Sequence, residues 1–199
     1  NLMFSFTEFL YRDYFTRLQL CFTPDTSFWE QLLNTAIYHV ISGQICMSII
    51  SLLSDFGHKD PYVAEMKAVI LSINPEVHIV DVTHEVEKFN IRMGAYVLAS
   101  AAPYFPPNTI HVAVVDPGVG TQRRAIVVET RRSFYVGPDN GLLMLAAQNE
   151  HIANVYKIDN PKYMLPKGSK TFHGRDIFAP VAAYLAAGIK PSDFGAAID

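Results

Sequence analysis

From Met47 onward the chain alternates short apolar runs with amphipathic segments, and this alternation constrains the fold more than any other feature. The apolar runs predict strands at 48–53, 77–83, 109–115, 125–129, 134–136 and 152–158. The segments of helical periodicity predict helices at 61–72, 90–102, 142–148 and 176–187. Strands that alternate with helices favour an α/β fold, with a mostly parallel central sheet and helices on both faces.

Residues 1–46 differ in composition from the rest of the chain. They hold 10 of the 24 aromatic residues, both cysteines and no lysine. One interpretation is that Met47 is the natural start and that 1–46 is upstream sequence. The other is a native helix, because Ser27 and Glu30 have capping-box spacing and apolar residues follow at helical intervals up to Gly43. We treat 1–46 as an atypical N-terminal extension and 47–199 as one α/β domain.

The composition argues against several classes of partner. Half of the residues are hydrophobic, and the formal net charge of −3 is that of a protein without a nucleic-acid surface. The apolar stretches are shorter than the ~18 residues of a membrane span, and no secretory signal is recognisable. Cys21 and Cys46 have the spacing of neither a metal site nor a redox pair. We therefore expect a cytoplasmic protein without a metal, a membrane or a nucleic-acid partner.

Two acidic residues follow predicted strands at positions where open α/β sheets bind ligands. Asp55 follows the first strand and Asp116 follows the third. Each residue is also compatible with a turn or a helix cap. His173 lies in a polar cluster before the last predicted helix, where capping is the alternative to a functional role. The residues alone leave both interpretations open.

Five segments together resemble one family in order and approximate spacing. They are SDFG at 54–57, VDVTH at 80–84, DPGVGTQRR at 116–124, PDNG at 138–141 and TFHGRD at 171–176. The family is the S-adenosylmethionine (SAM) hydrolases, or hydroxide adenosyltransferases, which are related to fluorinating and chlorinating enzymes. The resemblance implies hydrolysis of SAM by attack of water at the ribose C5′, which gives adenosine and L-methionine. It implies SAM as the small-molecule substrate and no cofactor.

The resemblance also assigns site residues. The implied catalytic set is Asp116, Arg123 and His173. The implied substrate-binding residues are Asp55 on the ribose hydroxyls, Asp60 on the methionine ammonium, and the pocket aromatics Phe89 and Phe172. The proton acceptor for the attacking water stays open between Asp116 and His173.

Two other functions compete with hydrolysis. A halogenating enzyme would attack the same carbon with chloride or fluoride, but such relatives carry Tyr at position 116 and Ser at position 174. A module that binds SAM or adenosine without turnover is the second alternative. The resemblance also implies a homotrimer, in which each chain of the family carries a C-terminal β-barrel domain. Because this chain stops at Asp199, we expect that barrel to be absent and the substrate to be bound more weakly.

Overall fold

The computed structural model describes residues 48–166 and 169–198. The predictions made for 1–46, including the helix between Ser27 and Gly43, lie outside the described residues. The division at Met47 therefore stays a prediction, whereas the α/β prediction for the following residues is confirmed below.

Six strands form one sheet in the order β2-β1-β3-β5-β4-β6. Their bounds are β1 Ile49–Ser54, β2 His78–Thr83, β3 Ile110–Val114, β4 Ala125–Thr130, β5 Phe134–Pro138 and β6 Ile152–Lys157. Strand β1 pairs in parallel with β2 and β3, and β3 pairs in parallel with β5. Each of these strands begins and ends within two residues of its predicted bounds. The mostly parallel sheet is confirmed.

Helices cover both faces of this sheet. Their bounds are α1 Tyr62–Ile73, α2 Ile91–Ala101, α3 Met144–Asn149 and α4 Ala179–Ala186. Helices α1 and α4 pack on one face, and α2 and α3 pack on the other. Helix α2 begins as predicted because the Asn90 side chain accepts a hydrogen bond from the Met93 N–H at 3.0 Å.

The central strands are buried on both faces. Along β3, Val112 and Val114 join the core under α1 and α4, whereas Ala113 belongs to the core under α2 and α3. Successive side chains of a strand point to opposite faces, so an uninterrupted apolar run serves both cores. This is why the predicted strands are continuous apolar runs and not alternating patterns.

Two features differ from the expected regular alternation. Strand β4 pairs antiparallel with β5, because the β4–β5 connection at 131–133 is too short for a parallel crossover, and it also pairs antiparallel with β6. The last helix was predicted to begin at Asp176, but a π-helical turn, Gly174–Phe178, precedes α4. Within the described residues, no helix has both the length and the apolar character that a membrane crossing requires.

Candidate active site

One cavity of about 210 Å³ opens at the carboxyl ends of β1 and β3. Parallel strands that sit side by side bring the residues after their ends to the same edge of the sheet. The cavity is lined by Asp55, Phe56, Asp60, Tyr62, Lys88, Phe89, Val114, Asp116, Val119, Thr171, Phe172, His173 and Gly174. These residues come from four separate stretches of the chain.

Asp116, Arg123 and His173 form a continuous hydrogen-bonded set at this cavity. Arg123 Nε donates to both Asp116 oxygens, at 3.1 Å to Oδ1 and 2.9 Å to Oδ2, and Arg123 Nη2 also donates to Oδ2. The same Nη2 lies 2.8 Å from His173 Nδ1. Both side chains of the ion pair are at most 10% exposed. Asp116 and His173 line the cavity, whereas Arg123 holds them from behind.

The loop that carries Arg123 lies close to the loop that carries His173. Gly120 has a φ of +78°, and a Cβ at this position would lie 2.7 Å from the Lys170 carbonyl oxygen. A left-handed backbone without a side chain is what glycine permits at little cost. The glycine therefore allows the close approach of the two loops.

His173 does not cap the helix that follows it. Its backbone occupies the N-cap position of the π-helical turn, but its side chain makes no capping hydrogen bond and faces Arg123. Burial lowers the pKa of His173 and the Arg123 guanidinium lowers it further, against the opposing effects of Asp116 and Asp176. His173 is therefore neutral at neutral pH. Because a guanidinium only donates, Nδ1 accepts and the ring proton is on Nε2.

Asp55 fixes the backbone of a cavity aromatic. Its Oδ2 accepts a hydrogen bond from the Phe89 N–H at 2.9 Å. Phe89 has a φ of 64°, a left-handed conformation that costs energy in a residue with a side chain, and the residue is 64% exposed where it lines the cavity. The Asp55 side chain thus does more than form a turn, since it holds Phe89 at the mouth of the cavity.

The opposite wall is aromatic. Phe172 packs edge-on against Phe56, with ring centroids 5.8 Å apart, and against Tyr62 at 5.0 Å. The Arg175 guanidinium lies 4.8 Å from the Phe172 ring and pairs with Glu65 of α1 at 2.7 Å. These contacts tie the loop that carries Phe172 and His173 to helix α1.

The structure brings together all seven residues that the sequence singled out. Six of them line the cavity, and Arg123 contacts two of those six. Sequence reasoning missed Lys88 and Tyr62, which also line it. Their only sequence signal was their position next to Phe89 and Pro61, respectively. In the part of the chain that the structure describes, no group of three or more His, Cys, Asp or Glu side chains could hold a metal ion.

Comparison with known proteins shows to which family the chain is similar. Residues 50–195 match the SAM hydroxide adenosyltransferase N-terminal domain. The (R)-S-adenosyl-L-methionine hydrolase of Methanocaldococcus jannaschii is 49% identical over 144 residues, which are 70% of this chain and 53% of that protein. The chain belongs to this family.

Further relatives agree with this placement. The (R)-S-adenosyl-L-methionine hydrolase of Thermus thermophilus is 45% identical and is matched over 75% of this chain and 61% of its own length. A fluorinase of an Actinoplanes species is more distant, at 28% identity. A crystal structure of an uncharacterised conserved protein from Thermotoga maritima superposes with a TM-score of 0.74 at 46% identity, over 75% of this chain and 58% of that one. The chain thus spans 53–61% of the length of the two hydrolases and of this solved structure.

Proposed function

We propose that this domain binds S-adenosylmethionine and catalyses the attack of water on its ribose C5′ carbon. The observation that carries the proposal is the hydrogen-bonded set of Asp116, Arg123 and His173 on the wall of a cavity that also presents Asp55. Relatives that are 45–49% identical are named as hydrolases of this compound.

The cavity wall suits the parts of this substrate. Asp55 is 8% exposed, and one of its oxygens accepts from Phe89, which leaves the other oxygen for a ribose hydroxyl. Asp60 is exposed and makes no ion pair within the described residues, so its carboxylate is available to the methionine ammonium. Phe89 and Phe172 supply the apolar surfaces beside the ribose. The residues that resemble the family's binding set therefore have the chemistry that the substrate needs.

The leaving group of this reaction does not need to be protonated by an acid. The water oxygen forms a bond to C5′, the C5′–S bond breaks, and its electron pair stays on sulfur, which leaves as the neutral thioether of methionine. The water loses one proton, and the product is adenosine. The domain's task is to hold the water in line with the C–S bond, ~3–3.5 Å from the carbon.

The ring proton of His173 favours Asp116 as the acceptor of the water proton. His173 presents an N–H from Nε2, which donates to the water oxygen and orients it. Asp116 presents carboxylate oxygens that keep free lone pairs beside the Arg123 contacts. One side chain thus donates to the water and the other accepts from it.

Halide transfer is the second candidate function. The Asp116 carboxylate lines the cavity, and its negative charge opposes the binding of a halide there. The fluorinase is 28% identical to this chain, whereas the hydrolases are 45–49% identical, and this difference agrees with the argument. Homotrimeric assembly stays a prediction of the resemblance, and a cytoplasmic location stays a prediction of the composition. The cavity is smaller than the ~300–1,000 Å³ typical of small-molecule sites. We therefore propose that part of the substrate lies outside this cavity.

Product analysis tests the proposal. The chain is incubated with the R and S sulfonium epimers of SAM in separate reactions, in ¹⁸O-labelled water with and without chloride or fluoride. We expect adenosine that carries ¹⁸O at its 5′-hydroxyl, together with methionine. A halo-deoxyadenosine would establish the halogenase instead. Binding of SAM without any product would establish a non-catalytic module.

A further inference from the structure

The segment VDVTH at 80–84 lies outside the cavity wall, and the proposed reaction does not use it. Its last residue, His84, is buried and directly follows β2. His84 Nδ1 lies 2.7 Å from the hydroxyl oxygen of Ser54, the buried last residue of β1. Ser54 directly precedes Asp55, so His84 contacts the neighbour of a carboxylate that lines the cavity.

The second ring nitrogen of His84 faces an acid. His84 Nε2 lies 3.1 Å from Asp81 Oδ1, and Asp81 Oδ2 pairs with Lys67 of α1. In a regular strand, side chains three positions apart point to opposite faces. The register of β2 against β1 shifts between Asp81 and Thr83, where β2 has one extra residue. This bulge brings the side chains of Asp81 and His84 to the same side.

The two contacts of the ring determine where its proton is. A carboxylate only accepts, so the proton is on Nε2, toward Asp81, and Nδ1 accepts from the Ser54 hydroxyl. Burial lowers the pKa of His84 against the opposing effect of Asp81, so the ring is neutral at neutral pH. The Ser54 oxygen keeps its lone pairs for the Phe56 N–H, which donates to it at 3.3 Å.

The backbones of the same two residues hold the chain on both sides of Asp55. The Val86 N–H donates to the Ser54 carbonyl oxygen at 3.3 Å, before the carboxylate. The Gly57 N–H donates to the His84 carbonyl oxygen at 2.7 Å, after it. The short segment that carries Asp55 is therefore tied to the end of β2 at several points.

A serine, a histidine and an aspartate in hydrogen-bonding order also form the catalytic triad of many hydrolases. In such a triad the serine hydroxyl meets the substrate. Ser54 is fully buried, and its oxygen already contacts His84 and the Phe56 N–H. The arrangement therefore supplies no nucleophile and acts on the backbone beside Asp55.

We propose that Ser54 and His84 are positioning residues, which hold the Asp55 carboxylate in place for the ribose hydroxyls. This proposal rests on the proposed function, in which Asp55 binds the ribose. Neither Ser54 nor His84 lines the cavity, so both act through Asp55. A carboxylate that is already in place loses less conformational freedom when the substrate binds. The loss of Ser54 or His84 should therefore affect KM more than kcat.

Strand β1 offers a matched control for Ser54. Ser51 is also buried in this strand, and its hydroxyl oxygen also lies 2.7 Å from Nδ1 of a buried histidine, His111. Neither Ser51 nor His111 lines the cavity. Ser54→Ala and Ser51→Ala thus remove the same kind of contact from one strand, and only the first contact is adjacent to Asp55. Denaturant unfolding measures the stability of both variants.

We expect Ser54→Ala to raise KM for SAM about tenfold with a smaller effect on kcat. Ser51→Ala should be destabilised but should keep the kinetics of the wild type. In a chain that already carries Asp55→Asn, Ser54→Ala should change KM less than about twofold, because the group through which Ser54 acts has been replaced. The Phe89 N–H, which donates to Asp55 at 2.9 Å, should exchange with solvent about tenfold faster in Ser54→Ala.

Two amide substitutions test His84 itself. The side-chain amide of asparagine can take the place of Nδ1, whereas that of glutamine can take the place of Nε2. His84→Asn therefore keeps a partner for the Ser54 hydroxyl and should retain a KM close to that of the wild type. His84→Gln loses this partner and should resemble Ser54→Ala. This pair also tests the proposal if Ser54→Ala does not fold.

The outcomes separate this proposal from the one on which it rests. If the wild type forms adenosine but Ser54→Ala and Ser51→Ala raise KM equally, or neither raises it, the positioning role is overturned while the hydrolase stands. Full additivity of Ser54→Ala and Asp55→Asn would overturn it as well. If the wild type neither binds nor cleaves SAM, the proposed function fails. Faster exchange of the Phe89 N–H in Ser54→Ala would then still support the positioning of Asp55, and unchanged exchange would overturn it.

Discussion

Arg123 Nη2 lies 2.8 Å from His173 Nδ1, although 50 positions separate the two residues in the chain. A guanidinium cannot accept a hydrogen bond, so this contact places the ring proton of neutral His173 on Nε2, toward the cavity. Protonation of His173 would give Nδ1 a hydrogen that points at another donor. The contact therefore requires a neutral imidazole, in agreement with the lowered pKa of His173.

The first prediction concerns Asp116. Asp116→Asn should leave the affinity for SAM within about threefold of the wild type and reduce kcat roughly 10²-fold or more, the scale of a lost acid–base group. Steady-state kinetics and calorimetry measure the two effects. Asp139→Asn is the control, because Asp139 pairs with Arg124 at the same edge of the sheet and does not line the cavity. Unchanged turnover in Asp116→Asn would remove this residue from the mechanism.

The second prediction concerns the charge beside His173. Arg123→Met removes a positive charge that lowers the pKa of His173 and leaves Asp116, which raises it. An NMR titration of the His173 ring should show a higher pKa in this variant. Arg124→Met, which breaks only the neighbouring pair with Asp139, should titrate like the wild type. A His173 pKa that is the same in all three proteins would contradict the geometry.

The pH dependence of activity follows from the same contact. Burial and the Arg123 guanidinium lower the pKa of His173, so the ring is neutral at neutral pH, and kcat/KM should not fall there through protonation of His173. As the pH falls through the lowered pKa, the ring becomes protonated, the Arg123 contact breaks and activity should decline. In a variant with residual activity, such as Arg123→Met, the decline of kcat/KM on acidification should begin at a higher pH than in the wild type.

The third prediction concerns the ribose. Asp55→Asn keeps an oxygen for the Phe89 N–H but removes the charged acceptor that faces the cavity. We expect KM for SAM to rise about 10–100-fold, the cost of one hydrogen bond to a charged group, with a smaller effect on kcat. The 2′-deoxy and 3′-deoxy analogues should be poor substrates for the wild type. If Asp55→Asn discriminates against them as strongly as the wild type does, Asp55 does not bind the diol.

The fourth prediction concerns stability and His111, far from the cavity at the start of β3. Its side chain is fully buried, its Nδ1 lies 2.7 Å from Ser51 Oγ, and its ring stacks on Tyr135. Burial lowers the pKa of His111 to about 4, and the positive charge of Arg132 adds to the effect. The unfolded chain therefore binds a proton below about pH 6.5 that the folded chain binds only near pH 4.

The sign of this effect is a loss of stability on acidification. The contribution of His111 should be complete above pH 6.5 and should fall by ~3 kcal/mol as the pH drops toward 4. Denaturant unfolding at a series of pH values measures it. His111→Gln does not titrate, so its free energy of unfolding should depend less steeply on pH between 4 and 6.5. If the free energy of unfolding of the two proteins depended equally on pH, His111 would bind its proton equally well in the folded and the unfolded chain, and the prediction would be wrong.

Much of the architecture was predictable because it depends on local patterns. The apolar runs located β1 and β3, and Asn90 located the start of α2, since each depends on neighbouring residues along the chain. The order of the strands in the sheet was not predicted, because it depends on which strands lie side by side in the folded chain. The π-helical turn before α4 was missed because the residues Gly174–Phe178 are also compatible with an ordinary helix.

By itself, the sequence determined the α/β alternation, the acidic residues that follow β1 and β3, and the motifs that resemble one family. Only the tertiary structure decided that Arg123 bridges Asp116 and His173, that the His173 side chain does not cap its helix, and that Lys88 faces the same cavity. The physical reason is the range of the interactions. Burial periodicity and capping act over a few residues, whereas the protonation and charge of a site depend on groups that come together only when the sheet aligns its strand ends.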